Sequence, residues 1–339
     1  MITERRGRRP AFLRGDIITM TASGSLCPAL KPLVGRSSPR ITVVRPGGLG
    51  DTILLLPTLQ WFRGRLPDAV LTLIGSTWAE KLLPLIPIPL QFASFDSRQF
   101  ARLFVAGALQ PLPPALGEAD AVILYTSDPG GPLAANLTRG CSGPVVIWPT
   151  APALGLHAAA HFAGAVSEGR PKLPEPTLSV PEKARRWAAE WLGPRIGDGI
   201  HPVAIHPGSG GGAKRWPPEA FAEVHGRLGK PVLLIQGPAD TAACAALHSL
   251  IASSRPLALA SDLGIVELAA VLDQCELFVG NDSGVSHLAA ALGVPTIAVF
   301  GATDPSVWAP AGRRLAAVGG TGRWPAPDAV LAAAARLLG

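Results

Sequence analysis

The sequence predicts an α/β protein built from two Rossmann-like βαβ domains that face each other across a cleft. Three observations predict it. From residue 41 short β-branched runs alternate with longer helical ones, the pattern of a parallel sheet with crossover helices. That alternation is interrupted by a stretch holding Pro171, Pro174, Pro176 and Pro181, poor for helix and suited to an interdomain linker. It then restarts at residue 203, and a length of 339 residues is enough for two cores of ordinary size.

In chain order, strands are expected at 41–45, 70–74, 91–95, 121–125 and 145–148, with helices between them, notably at 52–65 and 98–107. A helix at 182–192 and a turn-rich patch at 193–199 follow the prolines. The second alternation places strands at 203–206, 232–235, 277–279 and 296–300. Its helices fall at 218–228, 241–252, 265–273 and 284–292. Pro217 and Pro218 suit a helix start, where the missing N–H costs nothing. The division expected is a basic, disordered extension over 1–40, a first Rossmann-like domain over 41–169 and a Pro-rich linker region over 170–200. A second Rossmann-like domain over 201–325 and a closing Ala/Leu-rich helix over 326–339 complete it.

Charge is unevenly placed. The net +6 comes from 30 Lys and Arg against 24 Asp and Glu. Residues 1–40 hold eight of the basic residues (Arg5, Arg6, Arg8, Arg9, Arg14, Lys31, Arg36, Arg40) and two acids (Glu4, Asp16), which is +6 by itself. The other 299 residues carry 22 of each sign, so the globular part is neutral and offers no nucleic-acid footprint. The basic start lacks the apolar run and cleavage site of a signal peptide. It fits an arm touching anionic lipid, or an over-extended start with initiation nearer Met20. Apolar runs stop far short of the ~20 residues needed to span a bilayer. The four cysteines (Cys27, Cys141, Cys244, Cys275) form no C-x-x-C pair and read as reduced thiols of a cytosolic protein.

Three loops each follow an expected strand and open a helix. In Arg45-Pro46-Gly47-Gly48-Leu49-Gly50-Asp51 the glycines permit a sharp turn and a close ligand approach, and the helix start favours negative charge. Asp51 there fits either a helix cap or, at the mouth of a cleft, a general base. The loop His206-Pro207-Gly208-Ser209-Gly210-Gly211-Gly212-Ala213-Lys214-Arg215 is not a P-loop, since Ala213 and Arg215 break that pattern. It reads as an anion-binding loop using backbone N–H groups and Lys214, or as a solvated glycine linker. In Gly280-Asn281-Asp282-Ser283-Gly284-Val285-Ser286-His287, Asp282 or Ser283 can cap the next helix and leave N–H groups at 283–284 for a phosphate. His287, one turn inside, fits a structural role as well as a functional one. No G-x-S-x-G, H-E-x-x-H or Asp-x-Asp motif occurs.

Taken together, these loops resemble those of glycosyltransferase family 9, the bacterial heptosyltransferases that act on lipopolysaccharide core. The first piece is Val43-Val44-Arg45-Pro46-Gly47-Gly48-Leu49-Gly50-Asp51 with Pro57 six residues on. The second is His206-Pro207-Gly208 followed by Lys214-Arg215-Trp216-Pro217. The third is Gly280-Asn281-Asp282-Ser283-Gly284-x-x-His287 with Phe300-Gly301-x-Thr303-Asp304-Pro305 after it. The resemblance implies a GT-B fold and an inverting, metal-independent transfer from an ADP-heptose donor, with no cofactor. It casts Asp51 as catalytic base, Gly48 and Gly50 as the acceptor-side cleft loop, and Lys214 as the lysine near the donor phosphates. It gives Asp282, Ser283 and Gly284 to the donor's sugar and diphosphate, and His287 to donor-site architecture. Asp240 stands where the family usually has a ribose-binding glutamate, and is one methylene shorter. Partners expected are the nucleotide sugar, a lipopolysaccharide or other envelope glycan, and peripheral contact with the cytoplasmic face of the inner membrane. Transfer of another activated sugar to another envelope glycan, and a catalytically silent nucleotide-sugar binder, stand as alternatives; the latter predicts loss of the base or the lysine, and both Asp51 and Lys214 are present.

Overall fold

The computed structural model describes residues 24–107, 111–252 and 256–339, so the expectation of a basic arm over the first residues lies largely outside the described residues. The first sheet is formed by β1 (Arg40–Val44), β2 (Val70–Gly75), β3 (Gln91–Ser94), β4 (Ala121–Thr126) and β5 (Val145–Pro149). All its pairs are parallel, in the order β3-β2-β1-β4-β5. Around it lie α1 (Leu49–Arg65), α2 (Thr77–Leu82), α3 (Arg98–Ala101), α4 (Pro114–Gly117), α5 (Pro132–Gly140) and α6 (Ala158–Ala163). Burial on both faces is why the central strands read as unbroken apolar runs: every residue of β1 after Arg40 is buried.

After α7 (Glu182–Ile196) comes the second sheet, also all parallel. Its strands are β6 (Val203–His206), β7 (Val232–Gln236), β8 (Leu257–Ser261), β9 (Leu277–Asn281), β10 (Thr296–Phe300) and β11 (Leu315–Gly319), in the order β11-β10-β9-β6-β7-β8. Its helices are α8 (Pro218–Leu228), α9 (Thr241–Ile251), α10 (Ile265–Asp273), α11 (Gly284–Ala291), α12 (Pro305–Trp308) and α13 (Pro327–Leu338). Two strands here, β8 and β11, were not expected. Both are outer strands with Ala-rich sequences, LALAS and LAAVG, whose small side chains carry little β signal.

The expected extension over 1–40 is corrected for its described part. Residues 28–33 form a short 3₁₀ turn, and Leu26, Leu30 and Leu33 are buried in the core shared with α1. Cys27 N–H donates to the Val166 carbonyl at 2.9 Å, and Leu26 bridges Ser167. Three leucines at helical spacing are enough to anchor this segment; its surrounding basic residues mask them in the sequence. The helix expected at 98–107 is likewise shorter, because α3 tightens into a 3₁₀ turn over Arg102–Phe104. Asn136 on α5 donates to the freed carbonyls of Leu103 and Val105. Helix α7, conversely, runs past Gly193 and Pro194 to Ile196, since its buried stripe Ala188, Leu192, Ile196 continues at a four-residue spacing.

The prolines ahead of α7 lie in an extended strap. Within it Leu178 N–H donates to Ala291 of α11, and the next residue, Ser179, donates to Leu85 in the first domain. The two domains also meet directly where α1 packs on α11.

Candidate active site

Both sheets change direction of winding at their centres. In the first, β1 continues to β2 on one side while β4 lies on the other; in the second, β6 and β9 are the equivalent pair. A crevice opens at the carboxyl ends of such strands. The residues leaving these ends are Arg45 after β1, His206 closing β6, and Asn281 closing β9.

On the first wall, Asp51 stands in the first turn of α1. Its Oδ1 accepts from the Arg45 guanidinium at 2.7 Å and its Oδ2 from Gly48 N–H at 3.0 Å, so it does cap the helix. The Arg45 side chain is only 6% exposed and the Asp51 side chain 33%. Arg45 lies 4.7 Å over the Phe162 ring, which helps hold a buried cation. Thus Asp51 is anchored at both oxygens yet keeps an open face. The glycines of this loop do different work. A Cβ at Gly47 would fall 2.7 Å from the Asp51 Cβ, so only glycine lets the carboxylate sit there. Gly50, expected in the acceptor loop, instead faces the other domain, where a Cβ would meet His287 Cδ2 at 2.9 Å. Gly284 answers it: a Cβ there would meet Leu49 Cβ at 2.9 Å. These two glycines set how closely α1 and α11 approach.

On the second wall, Lys214 Nζ donates to Asp282 Oδ2 at 2.7 Å, and Thr303 Oγ1 donates to the same oxygen at 2.6 Å. Ser209 Oγ donates to the Asp282 carbonyl at 2.9 Å. Asp282 therefore faces its own domain and holds Lys214 over the start of α11. Fully buried Asn281 ties the loops together, donating to Pro207 and Gly208 carbonyls while its Oδ1 accepts from Trp216 N–H. Gly284 and Val285 open α11, where N–H groups have no acceptor within the helix.

Asp240 is turned inward, its side chain only 10% exposed. Its Oδ2 accepts from His206 Nε2–H at 3.0 Å and from Gly237 N–H at 3.2 Å. Burial alone would raise its carboxyl, but the His206 ring, the Gly237 N–H and the nearby Arg215 guanidinium together hold it below the usual carboxylate range. The shorter side chain has turned inward, into space that Gly208 leaves free: a Cβ on Gly208 would overlap the carboxyl at 2.0 Å. The other ring nitrogen of His206 lies 3.2 Å from Ser283 Oγ.

Between the two walls sits His287, 5% exposed, with its Nδ1 buried and without a hydrogen-bond partner. Burial pushes its ring down to about 4, against the opposing pull of Asp282 and Asp51. His157 and Lys214 lower it further. It is thus a neutral ring near neutral pH that feels carboxylates from both domains. His157, the cap of α6, accepts from Ala159 N–H at Nδ1 and donates from Nε2 to the Ala309 carbonyl of the second domain at 2.9 Å. Among the described residues no group of three or more His, Cys, Asp or Glu is placed to hold a metal ion.

Four participants had no role assigned from sequence: Arg45, His157, His206 and Thr303. Arg45, His206 and Thr303 lie within the motifs quoted above, but their partners are 6 to 77 residues away, and only the fold brings these together.

Two parallel sheets with a site between their carboxyl ends define the GT-B architecture. A solved glycosyl transferase family 9 protein from Veillonella parvula DSM 2008 superposes with a TM-score of 0.69 at 20% identity, covering 90% of this chain and 98% of its own. The Escherichia coli ADP-heptose lipopolysaccharide heptosyltransferase II does so with a TM-score of 0.70 at 19% identity, covering 88% and 98%. At such identities these likenesses carry the fold. The sequence itself carries the family: residues 158–335 match glycosyltransferase family 9 (heptosyltransferase), and the chain belongs to it. Lipopolysaccharide heptosyltransferase 3 of Escherichia coli strain K12 is 37% identical over 115 residues, 32% of this chain. That match spans about a third (33%) of the relative's length.

Proposed function

We propose that this glycosyltransferase moves a heptose from an ADP-heptose donor to a lipopolysaccharide core acceptor, with inversion at the anomeric carbon and without a metal ion. One observation carries the reading: the helix start that bears Asp51 packs on the helix start beside the Lys214–Asp282 pair, so closely that a Cβ at Gly50 would meet His287. The base and the leaving-group side therefore share one cleft. The similarity to lipopolysaccharide heptosyltransferases supports the donor and acceptor classes.

In this reading the acceptor hydroxyl approaches the open face of Asp51, which takes its proton as the oxygen attacks the anomeric carbon opposite the diphosphate. Arg45 and Gly48 N–H fix the carboxylate, so little reorganisation is needed at the moment of attack. Charge developing on departing ADP meets Lys214 and the N–H groups at 283–285. An arriving diphosphate competes with Asp282 for Lys214, and Thr303 keeps Asp282 satisfied when Lys214 turns toward the phosphate. Gly50 and Gly284 let the two helix starts approach, which keeps water from the donor. No described helix is long and apolar enough to cross a membrane. We place the protein in the cytoplasm, at the inner face of the inner membrane.

Incubation with ADP-heptose and truncated lipopolysaccharide acceptors, following ADP release and acceptor mass, tests this. Acceptor mass should rise by one heptose, with chelator present. No transfer to any acceptor, together with no ADP binding, removes the reading.

A further inference from the structure

The donor side contains a buried chain of three polar groups that the transfer mechanism above leaves unused. Asp240 Oδ2 accepts from His206 Nε2–H at 3.0 Å, and His206 Nδ1 lies 3.2 Å from Ser283 Oγ. His206 is 2% exposed and Asp240 7%, while Ser283 is half-buried at the start of α11. The Asp240 carboxylate has no proton to give, so Nε2 must carry one. The state of Nδ1 then decides what Ser283 can offer. With a neutral ring, Nδ1 is an acceptor and takes the Ser283 hydroxyl proton, leaving only lone pairs to face a ligand. With a protonated ring, Nδ1–H donates to Ser283 Oγ and the hydroxyl proton is free. Its other local acceptor, Ser286 Oγ, is 3.4 Å away and has given its own proton to the Asn281 carbonyl at 2.5 Å. A phosphate oxygen is an acceptor only. It can bond Ser283 only when that proton is released.

We propose that His206, held by Asp240, is a positioning residue that turns the Ser283 hydroxyl toward the donor's diphosphate and takes up a proton from solvent as it does so. The inference rests on the reading of this cleft as a donor site. It assigns Asp240 an action through two other side chains, in place of direct contact with a ribose. The charged and titratable groups facing the chain are few. Arg215 lies 3.9 Å from Asp240 Oδ1, and the Cys244 thiol feels the Asp240 charge from α9. On the α11 side stand Asp282 with Lys214 and, one turn on, His287. The incoming diphosphate adds negative charge beside Ser283, which favours the protonated ring.

Asp240→Asn is a clean test, because an amide oxygen at the Oδ2 position still accepts from Nε2–H and Gly237 N–H while the counter-charge is lost. Calorimetric titration of the full chain with ADP, in buffers of different ionisation enthalpy at pH 7, reads proton uptake directly. The wild type should bind with greater proton uptake than either Asp240→Asn or Ser283→Ala. Both variants should lose about tenfold in affinity for ADP and for inorganic pyrophosphate alike, and the double variant no more than either. Circular dichroism and thermal melts establish that the variants are folded, and His206→Gln should show the same reduced uptake. Loss confined to ADP with pyrophosphate binding unchanged makes Asp240 a ribose contact and overturns the proposal. So do additive losses or an unchanged proton count. If the wild type binds neither ADP nor pyrophosphate, the donor-site reading itself fails, a result distinct from all of these.

Discussion

Replacing Asp51 with Asn separates its two roles. Asn keeps one oxygen, which can still accept from Gly48 N–H, so the cap survives, whereas its amide N–H2 now faces the Arg45 guanidinium, donor against donor. What disappears is the charge opposite Arg45 and the capacity to take a proton. A fully buried ion pair that lost a partner would weaken the fold by roughly 3–5 kcal/mol. Here the Asp51 side chain is 33% exposed and Arg45 rests on Phe162, so water and the ring share the load. A loss of about 1 kcal/mol is expected, rising to about 2 kcal/mol for Asp51→Ala, which also removes the cap. Turnover should respond far more: removal of a general base slows transfer by roughly 10²–10⁴-fold. Because Asp51 touches no expected phosphate contact, ADP affinity should stay within about twofold. Single-turnover transfer from ADP-heptose, ADP titration and urea unfolding on the same preparations give the three numbers. Near-normal turnover in a folded Asp51→Asn enzyme would refute the assignment and leave Asp51 as a cap that restrains Arg45.

Other expectations follow from the same contacts. Lys214→Ala should weaken both ADP binding and rate, by about tenfold or more, and leave Asp282 short of a partner; pairing it with Asp282→Asn should recover stability in a thermal melt without recovering rate. Gly284→Val should cost about 1–3 kcal/mol in chemical denaturation, because its Cβ would come within 2.9 Å of Leu49 Cβ, and Gly64→Ala, with open space around it, should cost nothing comparable. His287 sets a pH dependence. Its folded value of about 4 lies below the ordinary 6.5, so the unfolded chain binds the extra proton between those values and stability falls as pH drops through that window. By pH 5 the loss should be about 2 kcal/mol relative to pH 8. Denaturation curves of the wild type and His287→Gln should differ in that slope, and parallel curves would show that the ring is not the cause.

Much of the fold is legible in the sequence because parallel strands buried on both faces leave apolar runs, and loops that open helices carry Gly and Asp. Strands β8 and β11 escape that logic, since alanine fills an outer strand without announcing it. The segment at residues 26–33 escapes it for another reason, as its three buried leucines, Leu26, Leu30 and Leu33, lie in a stretch of net basic charge. At the site, residue types could be named but not their partners. Asp240 illustrates the limit: the family resemblance sets it beside a ribose, whereas the bare Gly208 leaves room for its short side chain to turn onto His206. Arg45 is another case: sequence gives a cation at a strand end, and only the fold shows it buried against Asp51 and Phe162.

The strap ahead of α7 constrains more than connectivity. Leu178 and Ser179 are neighbours, yet one hydrogen-bonds Ala291 and the other Leu85. Adjacent peptide planes are thus clamped to opposite bodies, which leaves a single set of backbone torsions between the clamps. The strap joins the two bodies beside the place where α1 packs on α11. A residue inserted between 178 and 179 would set the two clamps out of register, so that the hydrogen bonds to Ala291 and Leu85 could no longer form from adjacent residues.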